Sequence, residues 1–133
     1  MIVDSSAIVA MLRSEPEAKA MFAALTDEGS GSISAANYVE TAIVVDGKRD
    51  PVLSARLDAM LVKLKVAIEP VTASQAKLAR QAYRDFGRGS GHPAKLNFGD
   101  CFAYALATER GEPLLYKGDD FAAAGFASVV AAA

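Results

Sequence analysis

Five carboxylates in this sequence, Asp4, Glu40, Asp100, Asp119 and Asp120, stand where strands end or helices begin. Each has an ordinary use there. An Asp at a helix start caps backbone N–H groups and meets the positive end of the dipole. A pair of acids after a strand makes a turn. Gathered together they imply different chemistry. Two carboxylates about 4 Å apart repel by about 4 kcal/mol at an effective dielectric near 20, so three or four stay ionised together only around a cation. His92 is the only histidine and lies outside these segments. The site would therefore be all-oxygen, which favours Mg²⁺ or Mn²⁺ over zinc. Such an ion acidifies a water and neutralises phosphoryl oxygens, so the chemistry that fits is hydrolysis of phosphate esters.

Positioning these acids requires an alternating pattern of strands and helices. Residues 1–3 are a short β-branched run ending at Asp4, and 7–12 an apolar helix capped by Asp4 or by Ser5 and Ser6. Pro16 opens a second helix that closes at 29–31, and residues 32–34 form a second strand. A helix over 35–45 carries Glu40. Pro51 opens an amphipathic helix with Leu53, Leu57, Met60, Leu61 and Leu64 on one stripe. Residues 66–71 read as a third strand, and Thr72 caps a helix running to Phe86. Three glycines and a proline make 87–94 a loop. The next helix, within 96–107, is apolar almost all round except for Asp100 in its first turn. Residues 113–116 are a fourth strand ending at Asp119 and Asp120. Residues 126–130 can form a fifth, before an alanine tail that frays.

This alternation predicts an α/β domain with a parallel sheet covered on both faces. Sites in such sheets form beyond the carboxyl ends of the strands. Asp4 and Asp119-Asp120 follow strands, while Asp100 and Glu40 lie in early helical turns, so all can face that one edge.

The 133 residues suit one domain, 1–133, burying roughly two-thirds of its surface. A formal net charge of −2 gives no overall field that attracts polyanions, so any such partner needs a local patch. The single cysteine, Cys101, excludes an internal disulfide, reads as a buried inert thiol and points to a reducing cytoplasm. The start of the chain lacks the basic region of a secretory signal. No apolar run nears the ~20 residues that span a bilayer, so no membrane association is expected.

Four stretches together resemble the VapC toxins of bacterial type II toxin–antitoxin pairs, ribonucleases with the PIN-domain fold. They are Asp4-Ser5-Ser6-Ala7 after the first strand, Glu40, Asn97-Phe98-Gly99-Asp100-Cys101-Phe102-Ala103-Tyr104-Ala105, and Leu114-Leu115-Tyr116-Lys117-Gly118-Asp119-Asp120-Phe121. The loop 89–96 is similar to the family's loop before its third acid. The resemblance covers the chain end to end. It implies a three-layer α/β/α domain with a short central sheet of four to five parallel strands and Mg²⁺- or Mn²⁺-dependent endonucleolytic cleavage of RNA, tRNA or rRNA. It also implies a homodimer and inhibition by a cognate VapB-type antitoxin. Carried over by position, Asp4, Glu40 and Asp100 match the first three acids, with Asp4 and Asp100 the principal ligands. Asp119, nearer the strand end, is preferred as the fourth over Asp120. Ser6 matches a small polar residue that supports the first Asp. Residues 122–125 depart from the family, where many members carry Thr-Asp after the Asp-Phe pair.

Lys77, Arg80, Arg84 and Arg88 recur three, four and four apart, as one face of the helix ending near Phe86. With Lys95 they lead into the loop before Asp100. A solvated helix face explains such a stripe; RNA contact by Arg84, Arg88 and Lys95 is the functional alternative. His92 reads as structural, and Phe102 and Tyr104 as core. Two other classes compete. A haloacid-dehalogenase-type phosphatase also begins with a strand ending in Asp, but needs a second Asp where this chain has Ser6. A non-catalytic PIN scaffold that only binds partners would have no use for every acid.

Overall fold

Neighbouring side chains on a strand face opposite ways, and in this molecule that alternation divides the core in two. The computed structural model of the chain describes residues 1–130. Its elements, in order, are β1 (Ile2–Val3), α1 (Ser5–Leu12), α2 (Ala18–Glu28), β2 (Gly31–Ser34), α3 (Ala35–Asp46) and α4 (Pro51–Lys63). There follow β3 (Val66–Glu69), α5 (Ala73–Phe86), α6 (Phe98–Arg110), β4 (Leu114–Leu115) and α7 (Asp120–Ala123). The sheet is wholly parallel, in the order β3-β2-β1-β4, with Ile2 beside Leu114 and Val3 beside Leu115.

Val3 and Leu115 point into one core with Ile33 and Val66, packed under α1, α2 and α4. Ile2 and Leu114 point into the other, beneath α5, α6 and Phe121 of α7. The result is a three-layer α/β/α fold. The stripe expected from Pro51 onward forms: Leu57, Met60, Leu61 and Leu64 are all buried, and Asp50 caps the helix through Val52 and Leu53. Among the described residues no helix is long and apolar enough to cross a membrane.

Three expectations need correction. Pro16 lies in the turn before α2, which begins at Ala18. The fifth strand does not form. Gly125 turns the chain with φ +103°, and the Tyr116 hydroxyl donates to the Phe126 carbonyl at 2.6 Å, withdrawing that oxygen from any ladder. The segment 122–125, which departs from the family, forms the end of a short helix, α7, and the turn after it, with Phe121 of that helix buried against Tyr116. Arg88 falls beyond the end of α5, its N–H donating to the Leu96 carbonyl, so the helical stripe comprises Lys77, Arg80 and Arg84. The fraying expected of the alanine tail concerns 131–133, outside the described residues.

Candidate active site

Asp4 is placed by the ladder itself. Its N–H donates to the Leu115 carbonyl at 2.9 Å, one bond past β1, and its carboxylate then caps α1, with Oδ2 accepting from the Ser6 N–H at 2.9 Å. The second oxygen, Oδ1, is buried and has no partner. The residue is 3% exposed. Burial pushes its carboxyl up to about 6, the charges of Asp100 and Glu40 add to the rise, and the bonds from Ser6 oppose it.

Glu40 arrives on α3. Its Oε1 accepts from the Ser5 hydroxyl at 2.5 Å and from the Asn37 amide at 3.4 Å. The same Asn37 Nδ2 donates to the Gly99 carbonyl at 2.8 Å, tying α3 to the start of α6 across 62 residues of chain. Glu40 lies directly over Gly99. A β-carbon there would stand 1.9 Å from Oε2, so only glycine leaves room for the carboxylate.

Asp100 is fixed by a reciprocal cap. Its N–H donates to Asn97 Oδ1 and its Oδ2 accepts from the Asn97 N–H, both at 2.9 Å. The ordinary and functional readings of this Asp therefore coexist, since one oxygen serves the cap. Burial raises its carboxyl above the usual range. The bond from Asn97 and the charge of Arg88 pull the other way, while Asp120 and Glu40 push it further up.

Asp4, Glu40 and Asp100 line one open pocket of about 440 Å³, together with Ser6, Asn97 and Lys117. The Lys117 backbone N–H donates to Ser6 Oγ at 3.0 Å, which joins the end of β4 to the Asp4 turn. Its ammonium pairs with Glu15 at the pocket wall and with Glu17, and makes no ion pair with Asp4, Glu40 or Asp100.

Of the two acids after β4, Asp120 is the one whose charge acts on Asp100, and it lines a hollow with Arg88, His92 and Lys95. Asp119 lies in a separate depression with Glu17 and Tyr116, where its charge raises the Tyr116 phenol after burial has done so. Neither of the two lines the pocket of Asp4, Glu40 and Asp100, and it is the charge of Asp120 that reaches Asp100. Arg84 and Lys95 are exposed, and His92 is occupied structurally. Its Nδ1 accepts from the Ala94 N–H and its ring meets Phe86 edge-on. Cys101 is buried, its thiol pushed up to about 11 by burial and by Asp100, consistent with an inert group. Tyr104 is wedged between Phe86 and Phe126.

The sequence offers Ser5 only as a cap of the first helix, and gives Asn37 and Gly99 no role at the site. Asn37 and Glu40 share one helical face at i, i+3, a spacing that could have paired them. The partners of Ser5 and Gly99 are set by tertiary packing alone.

The donors fit a hard divalent cation. They are all carboxylates, one carries a buried oxygen without a partner, and Gly99 leaves a cradle that any side chain would fill. Among the described residues no three His, Cys, Asp or Glu side chains close around a single point.

A family model described as PIN domain matches residues 1–127. Ribonuclease VapC28 of Mycobacterium tuberculosis is 58% identical over 121 residues, 91% of each chain. Ribonuclease VapC of Mycolicibacterium smegmatis is 46% identical over 91% of this chain and 93% of its own. Two solved structures share the fold. M. tuberculosis VapC20, a sarcin–ricin loop cleaving toxin, aligns with TM-score 0.72 at 22% identity over 96% of this chain and 97% of its own. A toxin–antitoxin complex from Klebsiella pneumoniae aligns at 0.65 with 17% identity, over 91% and 89%.

Proposed function

The chain belongs to the PIN domain family, and on that premise we propose that it is a metal-dependent endoribonuclease toxin of the VapC kind, cutting RNA at the Asp4–Asp100 pocket. The observation that carries the assignment is the partnerless, buried Oδ1 of Asp4 in a pocket that Glu40 and Asp100 also line. A charge held out of water at that cost is retained where a ligand offsets it.

Asp4 and Asp100 are the principal metal ligands, with Glu40 and Asp120 completing the set. Bound Mg²⁺, or Mn²⁺ in its place, supplies a more acidic water and neutralises charge on the scissile phosphate. The chain's own groups do the positioning. Ser6 holds one oxygen of Asp4 and leaves the other open. Asn97 does the same for Asp100, and Ser5 and Asn37 hold Glu40. Arg88 and Lys95, beside Asp120, and Arg84 on α5 take the RNA backbone. A VapB-type antitoxin silences the enzyme, which acts as a homodimer in the cytoplasm.

The test is sequencing of RNA ends after expression without antitoxin, paired with cleavage by purified protein in Mg²⁺, Mn²⁺ or EDTA. New 5′ ends at a restricted set of sites, lost in EDTA, support the assignment. A non-catalytic scaffold yields none. The phosphatase reading does not survive family membership.

A further inference from the structure

Beside the acidic pocket, between α5 and α6, runs an apolar groove of about 620 Å³ to which the cleavage chemistry assigns no role. Its walls are Ala79, Tyr83, Asn97, Phe98, Cys101 and Phe102, and Arg80 and Arg88 flank it. Two of its aromatic rings face solvent. Phe98 is 78% exposed and Tyr83 48%, an uncommon amount of bare aromatic surface for two rings lining one groove.

These rings are held ready. Phe98 rests edge-on against Phe102 with centroids 4.9 Å apart. The Tyr83 ring lies against Gly87, where a β-carbon would come within 2.5 Å of it, and its hydroxyl donates to the Arg88 carbonyl at 3.0 Å. Among the described residues neither Arg80 nor Arg88 is in an ion pair. The groove also adjoins the acidic pocket. Asn97, which fixes Asp100, lines both, and Arg88 lines the groove and the hollow that holds Asp120.

A planar apolar ring joined to an anion satisfies the exposed aromatics and the two free guanidiniums together. An apolar protein segment would satisfy the rings and bury the guanidiniums without partners. Resting on the ribonuclease reading above, we propose that this groove is a nucleobase subsite. The base of the unpaired nucleotide next to the scissile phosphate stacks on Phe98 and Tyr83, while Arg80 and Arg88 take the flanking phosphates. Base stacking on aromatics is tolerant of sequence, so the subsite selects single-stranded over paired RNA at the cut.

The experiment measures binding in EDTA, where cleavage is off, by fluorescence anisotropy. The probes are a labelled single-stranded 12-nucleotide RNA of mixed sequence and a ribose-phosphate chain of the same length without bases. Wild-type protein is expected to prefer the base-bearing chain by about tenfold. Phe98→Ala and Phe98→Leu should lose most of that preference with little change in affinity for the baseless chain, and Phe98→Tyr should keep it. Retention of the preference by Phe98→Leu overturns the proposal, because bulk rather than an aromatic face then suffices. Unchanged RNA binding by Phe98→Ala, with loss of a co-expressed antitoxin from the purified complex, assigns the groove to a protein and overturns it equally. Wild-type protein that neither binds nor cuts RNA refutes the ribonuclease reading itself. Cleaving wild-type protein that binds both probes alike refutes the subsite alone.

Discussion

Asp4→Asn should stabilise the metal-free protein while destroying its activity. In the fold, burial raises the Asp4 carboxyl from 3.8 to about 6. The unfolded chain therefore releases this proton at lower pH than the folded one, and stability falls as pH rises from about 4 through 6. The shift of roughly two units, at 1.36 kcal/mol each, costs about 3 kcal/mol at pH 7.5 and only about 1 kcal/mol at pH 4.5. Surface screening does not reduce this figure, since Asp4 is only 3% exposed. Asparagine removes the charge and keeps the cap, because Asn and Asp serve almost equally at that position and the amide oxygen can accept from the Ser6 N–H. For a chain of this length the gain at pH 7.5 corresponds to about 10 °C in Tm. The assay is thermal unfolding of wild type and variant in EDTA across this pH range. Adding Mn²⁺ should then raise the Tm of wild type and leave the variant unmoved. A variant less stable than wild type at pH 7.5, or a Tm difference that does not shrink towards pH 4.5, refutes the reasoning.

Gly99→Ala should separate stability from function. It favours helix by about 1 kcal/mol while its β-carbon evicts the Glu40 carboxylate, so Tm should hold within a few degrees as RNA cleavage falls by an order of magnitude or more. Asp120→Asn should lower cleavage markedly and Asp119→Asn leave it near wild type, because only Asp120 acts on Asp100; kcat/KM on one RNA decides between them. Replacing Arg84 and Arg88 together with alanine should weaken RNA binding and reduce the slope of log Kd against log salt by between one and two. An unchanged slope shows that these charges meet water only.

Much of this was legible before the structure because the signals are local. A β-branched run ending at Asp4, and an apolar stretch with Asp100 near its start, announce a strand end and a first helical turn from local sequence alone. What stayed hidden depends on distant chain or on direction. Asn37 reads as an unremarkable helical amide until Gly99 is brought beneath it. Asp119 and Asp120 are indistinguishable as neighbours in sequence; in the fold the first stays outside α7 and the second opens it, and they line separate depressions. Phe98 and Tyr83 carry the same hydrophobicity as core residues, and which face of α5 or α6 remains uncovered is decided by packing. The fifth strand failed for a related reason: Val129 and Val130 have strand propensity, but they settle against the first core instead of an edge.

The central claim is that acids from the two ends of the chain serve one ion. Mn²⁺ binding, followed by electron paramagnetic resonance on wild type, Asp4→Asn, Asp100→Asn and the double variant, tests it most directly. Shared ligation predicts that each single change weakens the same site and that the double change costs far less than the sum. Independent, additive losses, or a site that survives Asp100→Asn intact, would contradict it.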